Sequence, residues 1–227
     1  MILFVYLDKL PKIPNELLKQ QEEELARWHN SGIEKNYLQR SFLNRPEERF
    51  KYHLGTKPMQ RKLVTGEIVD SINYERWDLT NELNLWIEEH ICKGDNIGMQ
   101  LSFPVIQGSH KHLPHTDSPP RRWVLNYMWE TGGDNVRTQI YHERGQLLER
   151  QAMVAPNNFD NLELIRSFVI QPYRWYLLNT RVIHGVEGIL DFRKTISMGL
   201  SDENPLKRIP SYYGTIDFPS QSDSSIL

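Results

Sequence analysis

Cysteine is nearly absent from this sequence: Cys92 stands alone among 227 residues. One thiol excludes an intrachain disulfide framework and a zinc cluster built on thiolates, and it fits a reducing compartment, so the cytoplasm is the expected location. Charge of one sign is also lacking. Lys plus Arg number 27 and Asp plus Glu 29, leaving a formal net charge of −2. No long-range field gathers nucleic acid or an anionic membrane surface, and neither partner is expected. Long apolar runs are missing too. The opening Met1-Ile2-Leu3-Phe4-Val5-Tyr6 is interrupted by Asp8 and Lys9, well short of the roughly 18 residues a membrane span needs. It has neither the basic start nor the small-residue cleavage site of a secretory signal, and reads as a first strand.

What remains suffices for one substantial core, at 39% hydrophobic and 25% charged residues. No internal repeat is evident, and the Ser-rich stretch Ser220 to Ser225 reads as a frayed tail. From Asn15 to His29, Leu17, Leu18, Leu25 and Trp28 recur at helical spacing, with Asn15 after Pro14 as the expected N-cap. A second helix is expected within Tyr74 to Ile91, where Leu79, Leu83, Trp86, Ile87 and Ile91 form one apolar face.

Beyond Gly94 the pattern changes to short β-branched and aromatic runs cut by Gly, Pro and Asn. Strands are expected at Ile97–Ile106, Trp123–Trp129, Thr138–His142, Ser167–Ile170, Trp175–Asn179 and Thr195–Leu200. Thr131-Gly132-Gly133-Asp134-Asn135 is a turn suited to positive φ. Strands joined by turns rather than helices predict a mainly β, antiparallel fold with flanking helices: a double-stranded β-helix, or jelly roll. The expected organisation is a mixed segment over 1–93 packed on a core over 94–203, with an extension over 204–227.

His115 and Asp117 are one residue apart, so on extended chain both side chains leave the same face. His184 comes at the end of the run Arg174 to Ile183, where a strand across a barrel could present it. Two neutral imidazoles and one carboxylate on one octahedral face leave positions open, the arrangement that suits non-haem Fe(II). Arg193 and Thr195 share a strand face, and a guanidinium beside a hydroxyl suits a carboxylate. Asn126 is a candidate to point inward beside them; Tyr141 and Trp175 are candidates to line the cavity or fill the core. His110 and His112 are expected in a solvated loop, and Arg121-Arg122 in an exposed one.

Taken in order, His115-x-Asp117, His184 and Arg193-x-Thr195 resemble the 2-oxoglutarate-dependent Fe(II) oxygenase superfamily over the segment from Ile97 to Leu200. Gln100-Leu101-Ser102-Phe103 leading to Leu113-Pro114-His115-Thr116-Asp117 is similar to that family's approach to its first two ligands. Gly132-Gly133 is similar to its glycine turn. Leu125-Asn126-Tyr127 with Thr138-Gln139-Ile140-Tyr141 resembles the aspartyl/asparaginyl β-hydroxylase-like branch, from whose well-known members Asp117 is a departure, since they lack the aspartate.

The resemblance implies Fe(II) on His115, Asp117 and His184, with 2-oxoglutarate as co-substrate. Arg193 and Thr195, with Asn126 beside them, would hold its far carboxylate. It further implies O2 as oxidant, succinate and CO2 as products, and hydroxylation of an amino-acid, peptidyl or other small-molecule substrate. Halogenating relatives replace the carboxylate ligand with a small residue, so Asp117 argues against that chemistry. Two other readings use the same residues: a non-catalytic jelly-roll binding module, and a cupin-like metalloenzyme holding its metal through His110, His112, His115 and His184.

Overall fold

The computed structural model describes residues 3–30, 60–62, 68–70, 73–103, 111–117, 119–150, 159–209 and 211. His110 and the Ser-rich end lie outside them, as do the side chains of Trp28 and His112. Twelve strands and two helices alternate irregularly along these residues. Strand β1 spans Phe4–Tyr6 and helix α1 Asn15–Asn30. Strands β2 (Gln60–Lys62) and β3 (Ile68–Asp70) pair with each other. After β4 (Asn73–Trp77) comes α2 (Asn81–His90). The remaining strands are β5 (Asp95–Phe103), β6 (Lys111–His115), β7 (Trp123–Thr131), β8 (Arg137–Glu143), β9 (Leu162–Val169), β10 (Arg174–Asn179), β11 (Ile183–Glu187) and β12 (Arg193–Leu200).

Two antiparallel sheets carry the architecture, in orders β1-β10-β7-β12-β5-β4 and β6-β11-β8-β9. Strand alternation explains which surface each sheet buries. On β7, Leu125, Tyr127 and Trp129 join a core with Leu18, Leu25, Leu83 and Ile87 of the helices. Their neighbours Val124 and Met128 turn the other way, into a second core with Ile140 of β8 and Tyr176 of β10. The large sheet is thus covered by helices on one face and by the small sheet on the other. That is why its central strands read as continuous apolar runs instead of alternating ones.

Both helices follow from their sequences. Leu18, Gln21 and Leu25 are the buried positions of α1 at helical spacing. Its first bonds run from Leu17 and Leu18 N–H to the Pro14 carbonyl, so the cap is Pro14 rather than the expected Asn15. The helix expected within Tyr74 to Ile91 is α2 at Asn81–His90, preceded by Tyr74 to Trp77, which pair with β5 as an edge strand. The Thr80 hydroxyl then starts α2 by accepting from Leu83 N–H at 3.3 Å.

The strand expected at Trp175–Asn179 is β10, and His184 lies on a separate strand, β11. Asn179 is fully buried and its side-chain oxygen accepts the Arg181 N–H at 3.0 Å. This local bond turns the chain out of the large sheet at Thr180 and into β11 of the small one.

Candidate metal centre

His115 and His184 are register partners on the neighbouring strands β6 and β11. Residues opposite one another in an antiparallel pair project on the same face, which brings the ring centroids to 4.6 Å. Asp117 lies just past the end of β6, where its N–H donates to the Thr180 carbonyl at 3.0 Å. The chain crossing after β10 therefore also fixes the carboxylate. Asp117 Oδ1 is 3.7 Å from His115 Nε2 and 4.0 Å from His184 Nε2. One donor atom from each of the three lies within 4.8 Å of the others. It is the one such group of His, Cys, Asp and Glu among the described residues.

Protonation suits donation to a cation. His184 Nδ1 lies 2.9 Å from the Val182 carbonyl, which can only accept, so Nδ1 carries the hydrogen and the lone pair is on Nε2. Burial alone would raise the Asp117 pKa, but His184, His115 and the Arg121 guanidinium outweigh it and hold the carboxyl below its usual range. Arg121 Nη1 donates to Asp117 Oδ2 at 3.1 Å. The expectation of an exposed Arg121-Arg122 loop is corrected: Arg121 is committed to Asp117, and Arg122 Nη1 reaches Glu203 Oε1 at 3.3 Å.

Arg193 is 6% exposed on β12. Among the described residues no carboxylate pairs with it; Glu187 bonds Gln139, and Asp191 accepts from the Phe192 N–H. Its Nη2 donates to the Tyr176 hydroxyl at 3.3 Å, while its Nε is buried without a partner. Thr195, two residues on, is 1% exposed, and among the described residues its hydroxyl meets the Met128 sulfur, at 3.8 Å. Asn126 sits opposite Tyr176 on β10 and Ser197 on β12. Its side chain hydrogen-bonds Tyr176, and its Oδ1 has no partner.

These groups and the cluster of His115, Asp117 and His184 lie on the facing sides of the two sheets. Ile140, opposite His184 in register, packs with Met128 and Tyr176. Trp175 is core: it packs on the helix side and donates to the Pro11 carbonyl. Tyr141, opposite Ile183, alternates away from His184 and bonds Gln139. Tyr176 and Arg121 escaped the sequence reading as site residues. Tyr176 lay in an apolar run with no polar spacing around it, and Arg121 becomes a site residue only when the chain after Asp117 doubles back.

No protein-family model and no curated protein sequence matches the chain. Among solved structures, the fold is similar to one of YcfD from Escherichia coli, with a TM-score of 0.36 and 14% identity over 68% of this chain and 44% of that chain. A second, of the Escherichia coli ribosomal oxygenase YcfD, gives a TM-score of 0.34 and 12% identity over 71% and 47%. The chain thus spans less than half the length of each. At this overlap and identity the likeness assigns neither activity nor substrate.

Proposed function

We propose that this protein is a non-haem Fe(II) oxygenase that uses 2-oxoglutarate and O2, acting as a hydroxylase in the cytoplasm. The observation that carries the reading is the pairing of a two-histidine, one-carboxylate cluster on the small sheet with a buried Arg193 on the large sheet that pairs with no carboxylate among the described residues. A buried guanidinium without an anion is expensive, so the cavity is suited to bind one. Three donors gathered on one side of a cation leave its other positions to exogenous ligands, the facial arrangement associated with Fe(II) rather than the closed tetrahedron of structural zinc.

The strand orders support a jelly roll. Each sheet joins strands distant in the chain, as when β7 lies between β10 and β12, and β11 between β6 and β8. The chain therefore passes repeatedly from sheet to sheet, presenting β6 and β11 on one side and β12 on the other. No helix among the described residues is long and apolar enough to cross a membrane.

In this reading His115, Asp117 and His184 hold the metal. Arg193 and Thr195, with Tyr176 and Asn126 beside them, grip the far carboxylate of 2-oxoglutarate. Two parallel N–H···O bonds from Arg193 would use its partnerless Nε. Bound iron supplies the redox chemistry that couples loss of CO2 from the keto acid to insertion of oxygen into a C–H bond. The protein holds its donors in their required tautomer and charge, and keeps the co-substrate's charged end in a buried cleft. The substrate is proposed to be an amino acid, a peptide side chain or another small molecule, with the aspartyl/asparaginyl β-hydroxylase-like branch as the lean.

Anaerobic addition of Fe(II) and 2-oxoglutarate tests this. A weak visible metal-to-ligand charge-transfer band is expected, and its absence with metal bound would refute the keto-acid role. Asp117→Ala and His184→Ala should abolish succinate formation, whereas Arg193→Ala should chiefly weaken co-substrate binding.

A further inference from the structure

The two oxygens of Asp117 have different partners. Oδ1 faces the Nε2 atoms of His115 and His184 at 3.7 and 4.0 Å, whereas Oδ2 accepts from Arg121 Nη1 at 3.1 Å. A charge-assisted bond to one carboxylate oxygen occupies one of its lone pairs, draws charge onto that oxygen and orients the whole group. Arg121 is itself held in place. Its stem lies over Gly199 of β12, where a Cβ would come within 3.0 Å of its Nε, and the N–H of the next residue, Arg122, donates to the Leu200 carbonyl at 3.0 Å. The missing side chain at Gly199 makes the space that the arginine crosses.

We propose that Arg121 is a positioning residue that limits Asp117 to donating one oxygen to a divalent cation, and so keeps a coordination position open for exogenous ligands. The inference rests on the metal reading above. A carboxylate free at both oxygens can close onto a cation through both and fill two positions. With Oδ2 held by Arg121, the protein fills three in total. Two are then available to a chelating keto acid and one remains. The guanidinium also offsets the charge of Asp117, which leaves the loaded centre more positive and more receptive to an anionic ligand.

Infrared difference spectra of the protein with and without Co(II) report this without any turnover. The asymmetric and symmetric carboxylate stretches lie farther apart when one oxygen binds metal than when both do, and bands missing from Asp117→Asn are those of Asp117. Wild type should show the wide splitting. Arg121→Met, which keeps the stem over Gly199 but has no donor, should show the narrow one, and its Co(II) form should bind 2-oxoglutarate more weakly by roughly tenfold. Arg121→Lys restores a charged donor and should recover the wide splitting. A general loosening of the fold would not narrow the splitting and then be rescued by lysine. Unchanged Asp117 bands in a Co(II)-loaded Arg121→Met protein, or a narrow splitting already in wild type, would overturn the proposal. Failure of wild type to bind Co(II) would instead defeat the underlying metal reading, so the two failures are told apart by the first measurement. Should the Met variant melt without cooperativity, Arg121→Leu, which also lacks a donor, takes its place with the same outcomes.

Discussion

Tyr176 and Arg193 meet across an intervening strand. The hydroxyl of Tyr176 on β10 accepts from Arg193 Nη2 at 3.3 Å, over the top of β7, which separates the two strands in the sheet. Such a bond needs two long side chains leaning toward each other over β7, on which Asn126 stands opposite Tyr176 and Thr131 opposite Arg193. Burial raises the tyrosine's pKa, and the adjacent Arg193 only partly offsets this, so the phenol is neutral wherever the protein is folded near neutrality.

Tyr176→Phe leaves the guanidinium with one bond fewer in a buried site. Stability should fall by about 1.5–3 kcal/mol, the range for hydrogen bonds to charged groups, as measured by urea denaturation. Saturating 2-oxoglutarate should recover part of that loss, because an anion supplies the charge with a new partner.

Gly132 occupies φ 82°, and a Cβ there would meet Arg193 Cβ and the Asp191 carbonyl, each at 3.0 Å. Gly132→Ala should destabilise the protein by roughly 1–3 kcal/mol through the strained backbone. It should also weaken 2-oxoglutarate binding, read by isothermal titration, since the turn packs directly on the arginine's stem.

Gln21 joins α1 to the approach to α2. Its Oε1 accepts the Thr80 N–H at 2.8 Å and its Nε2 donates to the Asp78 carbonyl at 3.1 Å, at 1% exposure. Gln21→Ala strands both backbone groups in the core. Thermal melts should register a loss of about 1–3 kcal/mol with no change in metal affinity, because the contact lies on the helix side of the large sheet.

Cys92 is buried against the sulfur of Met198, and burial pushes its thiol up to about 11. Its folded pKa lies above the ordinary value of 9.0, so the associated stability is intact below pH 9 and is lost as pH rises toward 11. Near pH 8 the native protein should react with a thiol reagent far more slowly than the urea-unfolded chain. Comparable rates would show that Cys92 is accessible.

Local rules sufficed for much of this protein. Helical spacing in Leu17, Leu18 and Leu25, β-branched runs from Trp123 onward and the Gly132-Gly133 turn each depend on nearest neighbours, and so were legible in order along the chain. His115 and Asp117 were likewise readable as a pair, because the period of an extended chain is fixed by its covalent geometry. Other features were not local. The strand end at Asn179 was legible, but the passage from there into the other sheet depends on a buried amide accepting from its own backbone at Arg181. Register decided that His184 stands opposite His115. Tyr176 came to Arg193 through sheet order, and Arg121 to Asp117 because the chain beyond it runs back against β12. Residue types and spacing thus determined which chemistry this protein has the groups for. Only the packing of two sheets decided which groups come together, since long-range pairing is selected by the burial of whole faces and not by any single stretch of sequence.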